Sequence, residues 1–133
     1  MANLYYYHYT DLTGYNAILK NPTNWFEHML SFFQKNSPDK LRPSLKEGGD
    51  AFYGNGWYFT DMAPEDHTRT QIASALWDRS FKQNMHKTDY YLKVEFHHRT
   101  KVLQCRSHVV LVPITSKAEQ RIIAQGSHPE MAR

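Results

Sequence analysis

A chain of 133 residues, 41% hydrophobic and 22% charged, fits one soluble globular domain whose core needs neither disulfides nor a structural metal. No apolar run approaches the roughly 20 residues of a bilayer-spanning helix. The N-terminus shows no basic region followed by an apolar one, so neither a membrane protein nor a cleaved secretory signal is expected.

A single cysteine, Cys105, excludes an internal disulfide and suits a reducing compartment. The expected location is cytoplasmic, or a target cell reached without a cleavable signal peptide. The formal charge is +3, yet Arg79, Lys82, Lys87, Lys93, Arg99, Lys101 and Arg106 oppose only Asp89 and Glu95, a net +5 between 79 and 106. Such a flank attracts an anionic dinucleotide, an acidic protein or a nucleic acid, or it is simply a solvated face.

In chain order, Leu4-Tyr5-Tyr6-Tyr7-His8-Tyr9-Thr10-Asp11 reads as an aromatic strand running into a polar cluster, with Gly14 permitting a turn. Tyr15, Ile18 and Leu19 fall at helical spacing before Asn21-Pro22 stops them. Trp25, Met29, Phe32 and Phe33 mark a second helix, capped by Thr23 or Asn24, and 34 to 50 reads as a long loop.

Tyr53-Gly54-Asn55-Gly56-Trp57-Tyr58-Phe59-Thr60-Asp61 follows. Two glycines one residue apart admit a bent backbone and close approach of a ligand, and three large residues then favour a strand. This is either a hairpin with aromatics in the core or a loop that holds a flat heterocycle by stacking and amide hydrogen bonds.

Pro64 suits the first turn of a helix, with Glu65 and Asp66 near its positive end, and Ile72, Ala73, Leu76 and Trp77 carry its apolar stripe to about Arg79. Tyr90, Leu92, Val94 and Phe96 alternate with Tyr91, Lys93 and Glu95, as in a half-buried strand. His108 to Val112 reads as a central strand closed by Pro113, and an apolar element spans 121 to 124. Residues 1–126 form the expected single domain and 127–133 a disordered tail. The order is α+β without regular βαβ alternation.

His8-Tyr9-Thr10 and Gly54-Asn55-Gly56-Trp57-Tyr58-Phe59-Thr60-Asp61 together resemble the ADP-ribosyltransferase superfamily. More narrowly, Tyr-His-Tyr-Thr-Asp followed by Tyr-Gly-x-Gly-x-Tyr-Phe-Thr-Asp is similar to the HYD1-signature group of its histidine-tyrosine branch, small domains often found as toxins or effectors. The resemblance covers roughly residues 4 to 124. It implies a split, mostly antiparallel β-sheet with flanking helices.

It also implies NAD+ as co-substrate, bound by His8, Tyr9, Thr10, Gly54, Gly56, Trp57 and Tyr58. His8 would donate to the adenosine ribose hydroxyls, the Tyr9 backbone would pair with the nicotinamide carboxamide, and Thr10 would act through its hydroxyl. Tyr58 would stack on nicotinamide, and Asp61 matches the group's aspartate, which makes His8, Tyr58 and Asp61 the catalytic candidates. The implied acceptor is a protein or nucleic acid, and an immunity or regulatory protein is a further partner of such domains.

The reaction would cleave the bond between nicotinamide and ribose through an oxocarbenium-like state. In the wider branch a glutamate opens the late apolar strand and assists. Here that strand opens with Ser107-His108. Glu95, Glu119 and Asp11 are other carboxylates for the role, although Glu95 should face solvent, and Asp61 would alternatively cap the helix that follows.

An NAD+ glycohydrolase, an RNA 2′-phosphotransferase relative, or an inactive module binding ADP-ribose or nucleic acid are the alternatives. The eight histidines suggest no metal site. His97 and His98 point to opposite faces of a strand, and His67, His86 and His108 lack a ligand spacing.

Overall fold

A computed structural model describes residues 2–20, 56–113 and 120–132. The expected helix at Trp25 to Phe33, the loop from 34 to 50, and Gly54 and Glu119 lie outside the described residues.

β1 (Leu4–Thr10) leads into α1 (Leu12–Lys20), and β2 (Gly56–Phe59) precedes α2 (Arg69–Trp77). A 3₁₀ segment (Asp78–Thr88), kinked at Ser80, then leads to β3 (Tyr90–Phe96), β4 (Leu103–Arg106), β5 (Val109–Pro113) and β6 (Gln120–Ser127). Among the described residues the chain is mixed α+β, with two three-stranded antiparallel sheets ordered β1-β3-β6 and β2-β5-β4. As its apolar run predicts, β5 is a central strand.

Among the described residues the sheets meet edge to edge at one residue pair. Tyr7 donates to the Thr60 carbonyl at 2.8 Å and Thr60 returns a bond to Tyr7 at 2.9 Å. Around this join the two-residue strand period sorts side chains onto two cores. On one face Leu92, Val94 and Phe96 pack with Phe59, Val110, Val112 and Ile18 of α1. Phe59 and Phe96 meet edge to face at 5.0 Å, which ties one sheet to the other. Each such ring, fully buried, contributes about 1.5–3 kcal/mol by leaving water.

On the opposite face Tyr7 and Tyr9 pack against Met62 and Ile72 of α2. Asp11 caps α1, its Oδ1 accepting from Gly14 N–H at 2.9 Å.

Three local expectations are corrected. Pro64 lies in a turn rather than a helical first turn, because Thr68 and Gln71 form a reciprocal capping box and start α2 at Arg69. His108 does not open the late strand. It sits at φ 67° in the turn joining β4 to β5, and β4, only four residues long, is held by its ladder to β5.

Residues 127–132 are not a disordered tail. His128 is 2% exposed, its Nε2 lies 2.7 Å from the His67 carbonyl, and its backbone N–H donates to Asp89. A short 3₁₀ turn over Pro129–Ala132 follows.

Candidate functional site

The site residues in β1 and β2 gather at the edge where the sheets part. Tyr7 points its N–H and C=O at Thr60, so two residues on, Tyr9 directs its own N–H and C=O to the same side, past the end of that pairing. His8 reaches across, its Nδ1 3.3 Å from the Tyr58 carbonyl and its ring edge 5.9 Å from Phe59. A carbonyl only accepts, so Nδ1 carries the proton and Nε2 of the neutral ring is an acceptor.

The Tyr9 side chain is spent elsewhere. It is buried, and its hydroxyl donates to the Met62 carbonyl at 2.6 Å. Burial first, then neighbouring Tyr7, Glu65 and Tyr91, pushes its phenol well above 10.0. Only its backbone remains to meet a ligand. Thr10 ends β1 half-buried, with Oγ1 against α1 at Gly14.

Tyr58 pairs with Leu111 and is half-buried. Strand alternation sets it on the face opposite Phe59, so His8 is joined to the Tyr58 backbone rather than to its ring. Gly56 and Trp57 begin β2 opposite Pro113 and Val112.

Asp61 caps no helix. Its Oδ1 lies 2.7 Å from Nδ1 of His108, and the two side chains are 58% and 44% exposed. Tyr6 sits nearby, its phenol raised above 10.0 by burial first and then by the Asp61 charge. The His67 ring lies 6.4 Å from that of His108.

Two other candidate carboxylates, Asp11 and Glu95, have structural partners. Asp11 caps α1. Glu95, expected to be solvated, is instead 9% exposed and accepts from Arg121 Nε, from the Tyr5 hydroxyl at 2.9 Å and from Asn3 at 3.2 Å. The Arg121 hydrogen bond, then those of Tyr5 and Asn3, hold its carboxyl below the usual 4.5. Of the basic stretch, Lys87 lies over the Trp77 ring at 5.6 Å, and Lys93 lies over Tyr5 and Tyr7 at 5.6 and 5.7 Å.

Among the described residues no three His, Cys, Asp or Glu side chains are arranged to hold a metal ion. Among them too, no helix is long and apolar enough to cross a membrane. His108 is the residue that sequence reasoning missed in this role. It lies 47 positions from Asp61, and no local pattern links them.

Comparison with protein-family models, with curated proteins and with solved structures found no match to this chain.

Proposed function

We propose that this chain is a mono-ADP-ribosyltransferase that binds NAD+ where β1 and β2 part, cleaves it, and passes ADP-ribose to a macromolecular acceptor, protein or nucleic acid. The observation that carries the reading is the backbone of Tyr9, aimed into the parting beyond the Tyr7–Thr60 pair. An N–H and C=O side by side complement a carboxamide, which offers one acceptor and two donors. His8 is fixed beside them by the Tyr58 carbonyl. In its neutral form the ring offers Nε2 as an acceptor, so a ribose hydroxyl would donate to His8 and not the reverse.

With the adenosine ribose held by His8 and the carboxamide by Tyr9, nicotinamide would lie at the edge of β2, with Tyr58, whose ring is on the face away from His8, as its stacking partner. Delivery as a toxin or effector, with an immunity protein as partner, is the context that the sequence resemblance adds to this reading.

The test is incubation of the purified protein with NAD+, following free nicotinamide and ADP-ribose, beside folded His8→Ala and Tyr58→Ala variants. Cleavage by the parent and its loss in both variants is expected. Tyr58→Phe retains activity because the ring survives. Added cell lysate or RNA separates transfer from hydrolysis. Absence of cleavage with every acceptor, while ADP-ribose still binds, would replace the enzyme reading by that of a binding module.

A further inference from the structure

Asp61 and His108 form a second constellation on the face that carries His8. The Tyr7–Thr60 pair sets Tyr6 opposite Asp61. The contact between Asp61 and His108 at 2.7 Å carries this line on to the turn before β5. Tyr6, Asp61 and His108 therefore cluster just past the end of β2, next to the row of His8, Phe59 and Val110. Neighbouring rows stand about 7 Å apart along a strand. The turn conformation of His108 projects its ring clear of the core, and the imidazole is 44% exposed.

A carboxylate only accepts, so the Asp61 contact at 2.7 Å assigns the proton of neutral His108 to Nδ1. Nε2 is left with its lone pair turned away from Asp61. If this ring protonates, the new charge forms beside an anion already in place. That is the arrangement of a general base with a positioning carboxylate, a device worth about 10²- to 10⁴-fold in rate.

We infer that His108 is the general base of the reaction proposed above, and that the acceptor it activates is a neutral hydroxyl. The inference rests on that reading of the site. The bond between nicotinamide nitrogen and ribose C1′ breaks, and its electron pair leaves with neutral nicotinamide. The acceptor oxygen bonds to C1′, and its proton passes to Nε2 of His108. Asp61 stabilises the resulting imidazolium as the positioning residue. Among the described residues, the other titratable groups facing this pair are His67, with its ring 6.4 Å from that of His108, and Tyr6, through Asp61.

Methanol serves as the probe hydroxyl, competing with water for the ADP-ribosyl group, and the products are methyl ADP-ribose and ADP-ribose. His108→Ala should lower formation of both by 100-fold or more, abolish the acid limb of the pH–rate profile, and recover at least 10-fold with added imidazole. Asp61→Asn should cost about 10-fold and keep an acid limb. Thermal melting of each variant verifies folding. Nitrogen-15 spectra of the whole chain should show neutral His108 protonated at Nδ1, a preference lost in Asp61→Asn.

Rates and pH profile unchanged in His108→Ala, with NAD+ cleavage still dependent on His8 and Tyr58, would overturn this assignment and leave the proposed function standing. A neutral His108 protonated at Nε2 overturns it whatever the activity. No cleavage by the parent protein removes both.

Discussion

The Thr10 hydroxyl occupies the space that a side chain at Gly14 would need: a Cβ there would stand 2.1 Å from Thr10 Oγ1. α1 therefore keeps a helix-weakening glycine where β1 delivers a candidate NAD+ contact.

Gly14→Ala is expected to destabilise the parent protein by about 1–3 kcal/mol through overpacking. In a Thr10→Ala background the obstructing hydroxyl is gone, and the same change should stabilise by up to about 1 kcal/mol, since alanine favours a helix over glycine. Urea denaturation of the four proteins of this cycle measures the reversal of sign.

Glu95 is held ionised by Arg121 first, then by Tyr5 and Asn3, below its ordinary 4.5. Between the folded value and 4.5 the unfolded chain binds more protons, so stability rises with pH in that window and is lost as pH falls through it. Melting temperatures from pH 6 down to about pH 3 should decline less steeply in Glu95→Gln than in the parent. Tyr5→Phe removes one donor and should move the decline to higher pH.

Tyr9 gives the opposite sign at the alkaline end. Its phenol is raised above 10.0 by burial, so above that pH the unfolded chain loses this proton while the folded one keeps it, and stability falls as pH rises. Tyr9→Phe should remove part of the alkaline decline. At neutral pH it should cost about 1–2 kcal/mol, because the Met62 carbonyl is left without its donor. Melting curves at pH 7 and pH 11 read both effects.

Arg69 fastens α2 to the end of the 3₁₀ segment. It pairs with Asp89 and donates to Thr88 Oγ1 at 3.1 Å and to the Met85 carbonyl at 3.0 Å. Arg69→Ala should cost about 2 kcal/mol in urea unfolding, the loss of charge-assisted bonds at a partly buried position. Arg69→Lys should recover less than half, because one ammonium cannot reproduce the planar fork.

Local period made much of this fold readable. Leu92, Val94 and Phe96 lie on one face of β3 as their alternation requires, and the unbroken apolar run of β5 marked it as a central strand. Part of what escaped depends on a partner far away in sequence: His128 is buried because the His67 carbonyl, 61 positions earlier, receives it. β4 escaped although its partner β5 lies just across a turn, because a strand of four residues is too short to show a period. The start of α2 was local but ambiguous, since Pro64 and its acidic neighbours offer one start and Thr68 with Gln71 a better one. His8 and Tyr58 stood out as motif residues. Their join through a backbone carbonyl and the pairing of Asp61 with His108 are tertiary and leave no mark on composition or spacing.

The pairing of β1 with β3 also sets the order of events in folding. Tyr5 lies opposite Glu95 and bonds to it across 90 positions. During synthesis, the aromatic run from Leu4 to Tyr7 therefore emerges long before its partner strand and has no native ladder to join. Contacts this remote close slowly, and an unpaired apolar strand invites pairing with other chains while it waits. Yield from refolding or expression should depend steeply on chain concentration, and a chaperone that shields extended aromatic segments should matter more to this protein than its modest size suggests.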